Sequence, residues 1–152
     1  MSGYLPYALR KLLNISHVWG KVQTFLTPAG KKAAATVAFV IGAEAANVIN
    51  VGLTIKANNG DVIAYRTGMR MYLSSDATGD TLEATAPDSI AIGTNGLFLP
   101  NGSDSVVDGV LYTTITGLAD LNITEATGAD TVYLNVEIGG VVYTSGAITF
   151  AA

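Results

Sequence analysis

The hydrophobic pattern of the chain changes near Pro28. In residues 4–26 the apolar positions recur at steps of three and four residues, which is typical of helical segments. Pro6 suits the first turn of a helix, and Gly20 interrupts the pattern. We therefore predict a basic, aromatic and partly helical arm over residues 1–35.

After the arm the chain consists of short runs rich in Val, Ile, Thr, Tyr or Leu, separated by turn residues. Such runs are typical of β-strands. Many short strands, each with one apolar face, predict an all-β antiparallel sandwich in residues 36–152. About eight strands are expected, over 36–41, 48–56, 68–73, 97–99, 106–113, 118–124, 131–138 and 141–150.

The run 131–138 shows the clearest alternation of apolar and polar positions. Alternation of this kind places one face of a strand in a core and the other toward water. Gly139 and Gly140 follow, and both tolerate the positive φ of a tight hairpin turn. We expect Val132, Leu134, Val136 and Ile138 to face the core, and Thr131, Tyr133, Asn135 and Glu137 to face water.

Charge is divided between the two parts of the chain. Residues 1–32 hold five basic residues and no acidic residue, and the remaining residues hold three basic and twelve acidic ones, a net charge of −9. An arm of one copy would therefore be attracted to the body of another, or to an acidic shell. Hydrophobic residues make up 49% of the chain, which is high for a soluble monomer. This composition predicts a homo-oligomer. A trimer is the first expectation for a chain that binds a shell, because the local threefold positions of a shell favour one.

The residues needed for common catalytic sites are few. His17 is the single histidine, and the chain has no cysteine, so one chain cannot form a cysteine nucleophile or a multi-histidine metal site. Asp76 and Asp80 flank a glycine and could contribute to a calcium site, but they lack further acidic ligands and also fit an ordinary turn. We expect a protein that is not an enzyme and has no cofactor.

Nucleic acid and membrane are not expected as partners. The acidic body would repel phosphate, and no apolar run approaches the roughly 20 residues that span a bilayer. The aromatic residues of the arm are better suited to burial against protein. The predicted partner-binding residues are Tyr4, Tyr7, Arg10, Lys11, Trp19, Lys21, Phe25, Lys31 and Lys32.

Several segments of the body resemble a family of small structural proteins of tailed bacteriophages. These segments are ANVINV at 46–51, YLSSDATGD at 72–80, AIGTNG at 91–96, and the stretch 119–151. The resemblance covers most of residues 46–151 and does not include the arm. It implies an immunoglobulin-like sandwich within a virion.

Within that family, similar domains occur in capsid decoration (cement) proteins and in tail or fibre proteins. The resemblance therefore implies a non-enzymatic protein of the outer capsid surface that binds and stabilises major capsid subunits. A host-binding module of a tail or fibre, using loops 76–88 and 100–105, is the alternative. A short charged arm favours the capsid, because a fibre usually requires a long shaft or repeat sequence.

Overall fold

A computed structural model describes residues 34–102 and 107–151 of the chain. Every secondary-structure element assigned in this part of the chain is a β-strand. They are β1 (Ala34–Ile41), β2 (Val48–Ala57), β3 (Gly68–Ser74), β4 (Ser89–Ile92), β5 (Leu97–Pro100), β6 (Asp108–Tyr112), β7 (Leu118–Thr124), β8 (Asp130–Ile138), β9 (Val141–Thr144) and β10 (Ile148–Phe150). Within these residues no helix has the length and apolar character needed to cross a bilayer.

The strands form two antiparallel sheets. One has four strands in the order β1, β2, β7, β4; the other has six, in the order β10, β8, β3, β6, β5, with β9 also paired to β8. Alternate residues of strands from both sheets are buried, so the core lies between the sheets. The prediction of an all-β antiparallel sandwich is confirmed. The largest fully buried side chains include Leu53, Ile55, Met71, Leu73, Leu111, Leu121, Ile123, Leu134, Ile148 and Phe150.

The predicted hairpin between β8 and β9 is present. Ile138 pairs with Val141, and the two intervening residues, Gly139 and Gly140, have φ values of 60° and 80°. Positive φ at both central residues is the condition for the two-residue turn that matches the twist of the strands. Val132, Leu134 and Val136 are buried, as their alternation predicts.

The described residues contain ten strands rather than about eight. The missed strand, β4, has only four residues, too few to show a periodic pattern. The predicted run 141–150 is divided into β9 and β10 at Ser145, whose hydroxyl accepts a hydrogen bond from the Leu134 N–H at 2.9 Å. A side chain thus replaces the carbonyl that would continue the strand ladder, and the strand is interrupted there.

The sandwich has two distinct ends. β1 begins beside the last residues of β2, near the loops 58–67, 93–96 and 113–117, and we call this the entry end. At the other end lie the loops 42–47 and 75–88, together with the last residue of β10, Phe150, which pairs with Asp130. The first strand therefore begins at the entry end, and the last strand ends at the opposite end.

Candidate functional site

The residues that the sequence predicts to bind a partner lie outside the described residues. This applies to Tyr4, Tyr7, Arg10, Lys11, Trp19, Lys21, Phe25, Lys31 and Lys32, and to His17. The described residues therefore form the sandwich body. The surfaces considered below are the two ends of this sandwich and the outer face of its six-stranded sheet.

The loop after β3 is organised by the carboxylate of Asp76. Its Oδ1 accepts hydrogen bonds from the N–H and hydroxyl of Thr78, and its Oδ2 accepts one from the Thr81 N–H at 2.7 Å. The Thr78 side chain, followed by Thr81, holds the pKa of Asp76 well below its ordinary value. Both oxygens are thus used within the loop, as an ordinary turn would use them. Among the described residues, no group of three or more acidic or histidine side chains is placed to hold a metal ion.

This loop is packed onto the outer face of the six-stranded sheet. The Tyr72 hydroxyl donates to the Gly79 carbonyl at 2.9 Å. Beneath the loop, Asn135 donates to the Ser74 hydroxyl at 2.7 Å and accepts from the Thr144 hydroxyl at 2.7 Å. Asn135 is fully buried, so its predicted exposure to water is wrong. The alternation does place it on the outer face; the loop then covers it.

A second carboxylate, Asp120 of β7, holds the turn that joins the two sheets. It accepts hydrogen bonds from the Thr94 N–H at 2.8 Å, from the Asn95 N–H, and from the Asn50 amide at 3.1 Å. Partial burial would by itself raise the pKa of Asp120, but these hydrogen bonds outweigh it and lower the pKa. Residues 93–96 form this turn, between the short strands β4 and β5.

The fold concentrates acidic residues at one end. Of the eleven acidic residues that are described, eight lie at the end opposite to the start of β1, which we call the acidic end. The three described basic residues, Lys56, Arg66 and Arg70, lie in the entry half or in the middle of the strands. The sequence showed an acidic body but not this polarity. The eight are Glu44, Asp76, Asp80, Glu83, Asp88, Asp108, Glu125 and Asp130.

The outer face of the six-stranded sheet carries a mixed row of side chains. Strand pairing places Val110 next to Arg70, and Arg70 next to Glu137. The guanidinium of Arg70 also lies over the Tyr72 ring, 5.5 Å from its centroid, in a cation–π arrangement. The row continues on both sides with exposed apolar residues, Leu99 on β5 and Val142 on β9. Arg, Tyr and aliphatic side chains in one patch are typical of protein interfaces.

Comparison with known proteins identifies no family. No protein-family model matches the chain, and no curated protein matches it. Among solved structures, two crystal structures of the human F-spondin reeler domain are similar to it at 11% sequence identity. They cover 78% and 79% of this chain and 90% and 94% of the domain, with TM-scores of 0.41 and 0.42. At scores this low the similarity carries no argument about fold family or function.

Proposed function

We propose that this chain is a non-enzymatic structural protein of a bacteriophage virion, a capsid decoration (cement) protein that binds across neighbouring major capsid subunits. The observation that carries the proposal is the division of charge. Residues 1–32 are purely basic, whereas the body gathers its acidic residues at the end farthest from the start of β1. A basic segment is suited to docking on an acidic surface, and a strongly acidic surface is suited to facing solvent.

In this proposal the arm is the attachment element. Its basic residues meet acidic groups of the shell, and its aromatic residues, Trp19 and Phe25 above all, are buried as anchors. Binding across adjacent subunits occurs only on the assembled shell, so by linkage it stabilises the shell against heat and internal pressure. The arm is partly helical, the sandwich is immunoglobulin-like, and the protein associates with itself on the outer capsid surface.

The alternative function, a host-binding module of a tail or fibre, is favoured by a different observation. The loops that follow β3 and β5 emerge at the same end of the six-stranded sheet, where the Leu73 N–H bonds the Val107 carbonyl at 2.7 Å. Loops gathered on a rigid scaffold are a common basis of recognition. The copy number of the chain in a purified particle separates the two functions: a shell protein is present in numbers comparable to the capsid subunits, and a tail protein in a few copies.

The attachment mechanism is tested by binding to shells assembled without this chain. We expect the quadruple variant R10Q/K11Q/K31Q/K32Q to bind more weakly than the wild-type chain. Raising the salt concentration should have the same effect, because exposed charges are screened within about 10 Å at 0.1 M salt. The matched control is K56Q/R66Q, which removes two basic residues of the body and should leave binding unchanged. If the quadruple variant binds as strongly as the wild-type chain at every salt concentration, the arm does not bind the shell through its charges.

A further inference from the structure

The two sheets present four outer edges in the described residues, and three of these are short or blocked. β4 has only four residues, and the edge formed by β9 and β10 is interrupted at Ser145. On β5, the bond from the Asn101 N–H to the Asp108 carbonyl places the odd-numbered residues toward β6. Phe98 and Pro100 therefore direct their backbone groups outward, and Pro100 has no N–H to offer. Short strands, interruptions and outward-facing prolines are how native sheets prevent pairing at their edges.

The edge strand β1 is irregular only at its start, between Ala34 and Thr36, and pairs regularly with β2 from Thr36 to Ile41. It is eight residues long and contains neither proline nor a charged residue. The Gly42 N–H donates to the Asn50 carbonyl at 2.8 Å, which places the even-numbered residues of β1 toward β2. Since backbone groups alternate in direction along a strand, Val37, Phe39 and Ile41 direct their N–H and C=O groups away from the sheet. In the part of the chain that the structure describes, no strand lies beyond β1.

The side chains of β1 leave apolar surface uncovered on both faces. Val40 is 69% exposed and lies opposite Gly52, which has no side chain to cover it. On the inner face, Val37, Phe39 and Ile41 pack against the core but are only partly buried. The outward N–H and C=O groups of β1, together with its incompletely buried apolar side chains, indicate what kind of segment would bind at this edge. It is another β-strand that brings apolar side chains of its own.

We propose that β1 is the dimerisation edge of this protein, at which two copies pair their β1 strands antiparallel about a two-fold axis and join their four-stranded sheets into one of eight strands. A two-fold antiparallel pair is self-complementary, because each copy offers the same donors and acceptors to the other. Centring the pair on Phe39 uses all three outward-facing residues of both strands: Phe39 meets Phe39 of the second copy, and Val37 meets its Ile41.

This pairing also explains the composition of the strand. On the outer face it places Ala38 opposite the second copy's Val40, which covers the exposed valine. Because β1 carries no charged side chain, no like charges face each other across the axis. An edge accepts one strand, so the contact favours a dimer over the trimer expected from the sequence. The inference does not depend on the protein being a decoration protein.

The first test is sedimentation equilibrium of the full-length chain over a concentration series. We expect a monomer–dimer equilibrium for the wild-type chain. Val40→Lys should raise the dissociation constant by roughly tenfold or more, since it brings two like charges close together at the pair and removes an apolar contact. The matched control is Ile115→Lys, which alters an equally exposed residue (71%) in the β6–β7 loop and should leave the dimer intact.

The second test addresses the register. The chain has no cysteine, so single cysteines report on defined pairs. In the proposed register, residues 38 and 40 of the two copies form a non-hydrogen-bonded pair with Cα atoms about 4.5 Å apart, within the range that a disulfide spans. A mixture of Ala38→Cys and Val40→Cys chains should therefore cross-link under mild oxidation more completely than either variant alone.

Three results would overturn the proposal. One is a wild-type chain that stays monomeric at high micromolar concentration. Another is a dimer that Val40→Lys leaves unchanged, which would place the contact on a different surface. The third is a monomer in which the amides of Val37, Phe39 and Ile41 are protected from hydrogen exchange, which would show that another segment of the same chain covers this edge.

Discussion

Asp76 and Asp120 both belong to the acidic body, and each acts as an internal hydrogen-bond acceptor. Asp76 organises one loop, and Asp120 fixes the turn by which the chain passes from β4 to β5. A carboxylate that accepts several N–H bonds is stabilised in its charged form, which is why the pKa of each is lowered. Both residues are therefore part of the framework.

Replacing Asp120 with Asn should destabilise the fold at neutral pH. The NH2 group that replaces one carboxylate oxygen cannot accept hydrogen bonds, so at least one of the donors Thr94 N–H, Asn95 N–H and Asn50 Nδ2 loses this acceptor. We expect the free energy of unfolding to fall by roughly 1–3 kcal/mol. Urea denaturation measures this, with Asp80→Asn as the control, because Asp80 is exposed and its change should cost less than about 0.5 kcal/mol.

The stability difference between the wild-type chain and Asp120→Asn should also depend on pH. The folded pKa of Asp120 is lower than its unfolded value of about 3.9. Its stabilising contribution is thus complete above that pH and is lost as the pH falls through the folded pKa. The difference in unfolding free energy between wild type and Asp120→Asn should therefore shrink as the pH falls below about 3.9. A difference that stays constant would mean that the carboxylate charge plays no part.

Single-residue environments were the least predictable part of the molecule. The alternation of 131–138 correctly places Asn135 on the outer face of its strand, but its burial depends on a loop from elsewhere in the sequence. The role of Asp120 depends in the same way on a turn 25 residues away. For both Asn135 and Asp120, the sequence shows a polar residue within a strongly apolar run. That pattern does not identify the loop or turn with which the residue forms hydrogen bonds.

At the scale of the element, the sequence predicted what local chemistry determines. Seven of the runs predicted as strands contain one strand each, and Gly139 and Gly140 form the expected hairpin turn. It did not reveal β4, which is short and is held by its pairing with β7. It also missed the interruption at Ser145, because this depends on a hydroxyl reaching a neighbouring strand. Cross-strand contacts, rather than propensity, determine these features.

The loop after β3 tests how strongly stability depends on the close contact between the Gly79 backbone and the Asn135 side chain. Gly79 has a φ of +78°, and a Cβ there would clash with the Asn135 side-chain oxygen. Gly60 has a φ of +84° and open space around it. Gly60→Ala should cost only the backbone strain, about 1 kcal/mol. Gly79→Ala adds the clash, and we expect a further loss of roughly 1–3 kcal/mol. Thermal unfolding of both variants compares them, and equal losses would show that the loop adapts.

For the whole molecule, the sequence showed how much charge each part carries but not where the fold would place it. The acidic residues of the body are scattered over the sequence from Glu44 to Glu137, and an antiparallel fold brings alternate loops to the same end. The resulting polarity is a property of the topology. The predicted partner-binding residues of the arm lie outside the described residues.

The body should fold without the arm. Among the residues that the structure describes, the buried core side chains run from Ile49 to Phe150, and the strands of this body pair with one another from Ala34 onward. We expect a chain lacking residues 1–32 to retain its β-sheet circular dichroism and to unfold cooperatively, while no longer binding to shells. A truncated chain that is unfolded would contradict the independence of the body, and a folded one that still binds shells would contradict the role of the arm.

The opposite positions of the first and last strands also determine how the sandwich would carry a mechanical load. Ala34 lies at the entry end and Phe150 at the acidic end, so a force applied between them runs along the strands. The hydrogen bonds joining β1 to β2 would then be sheared together instead of being unzipped one at a time. Cooperative shear resists force better than sequential rupture. A protein held at the start of β1 and pulled at the end of β10 would therefore be loaded in the direction in which these hydrogen bonds break together.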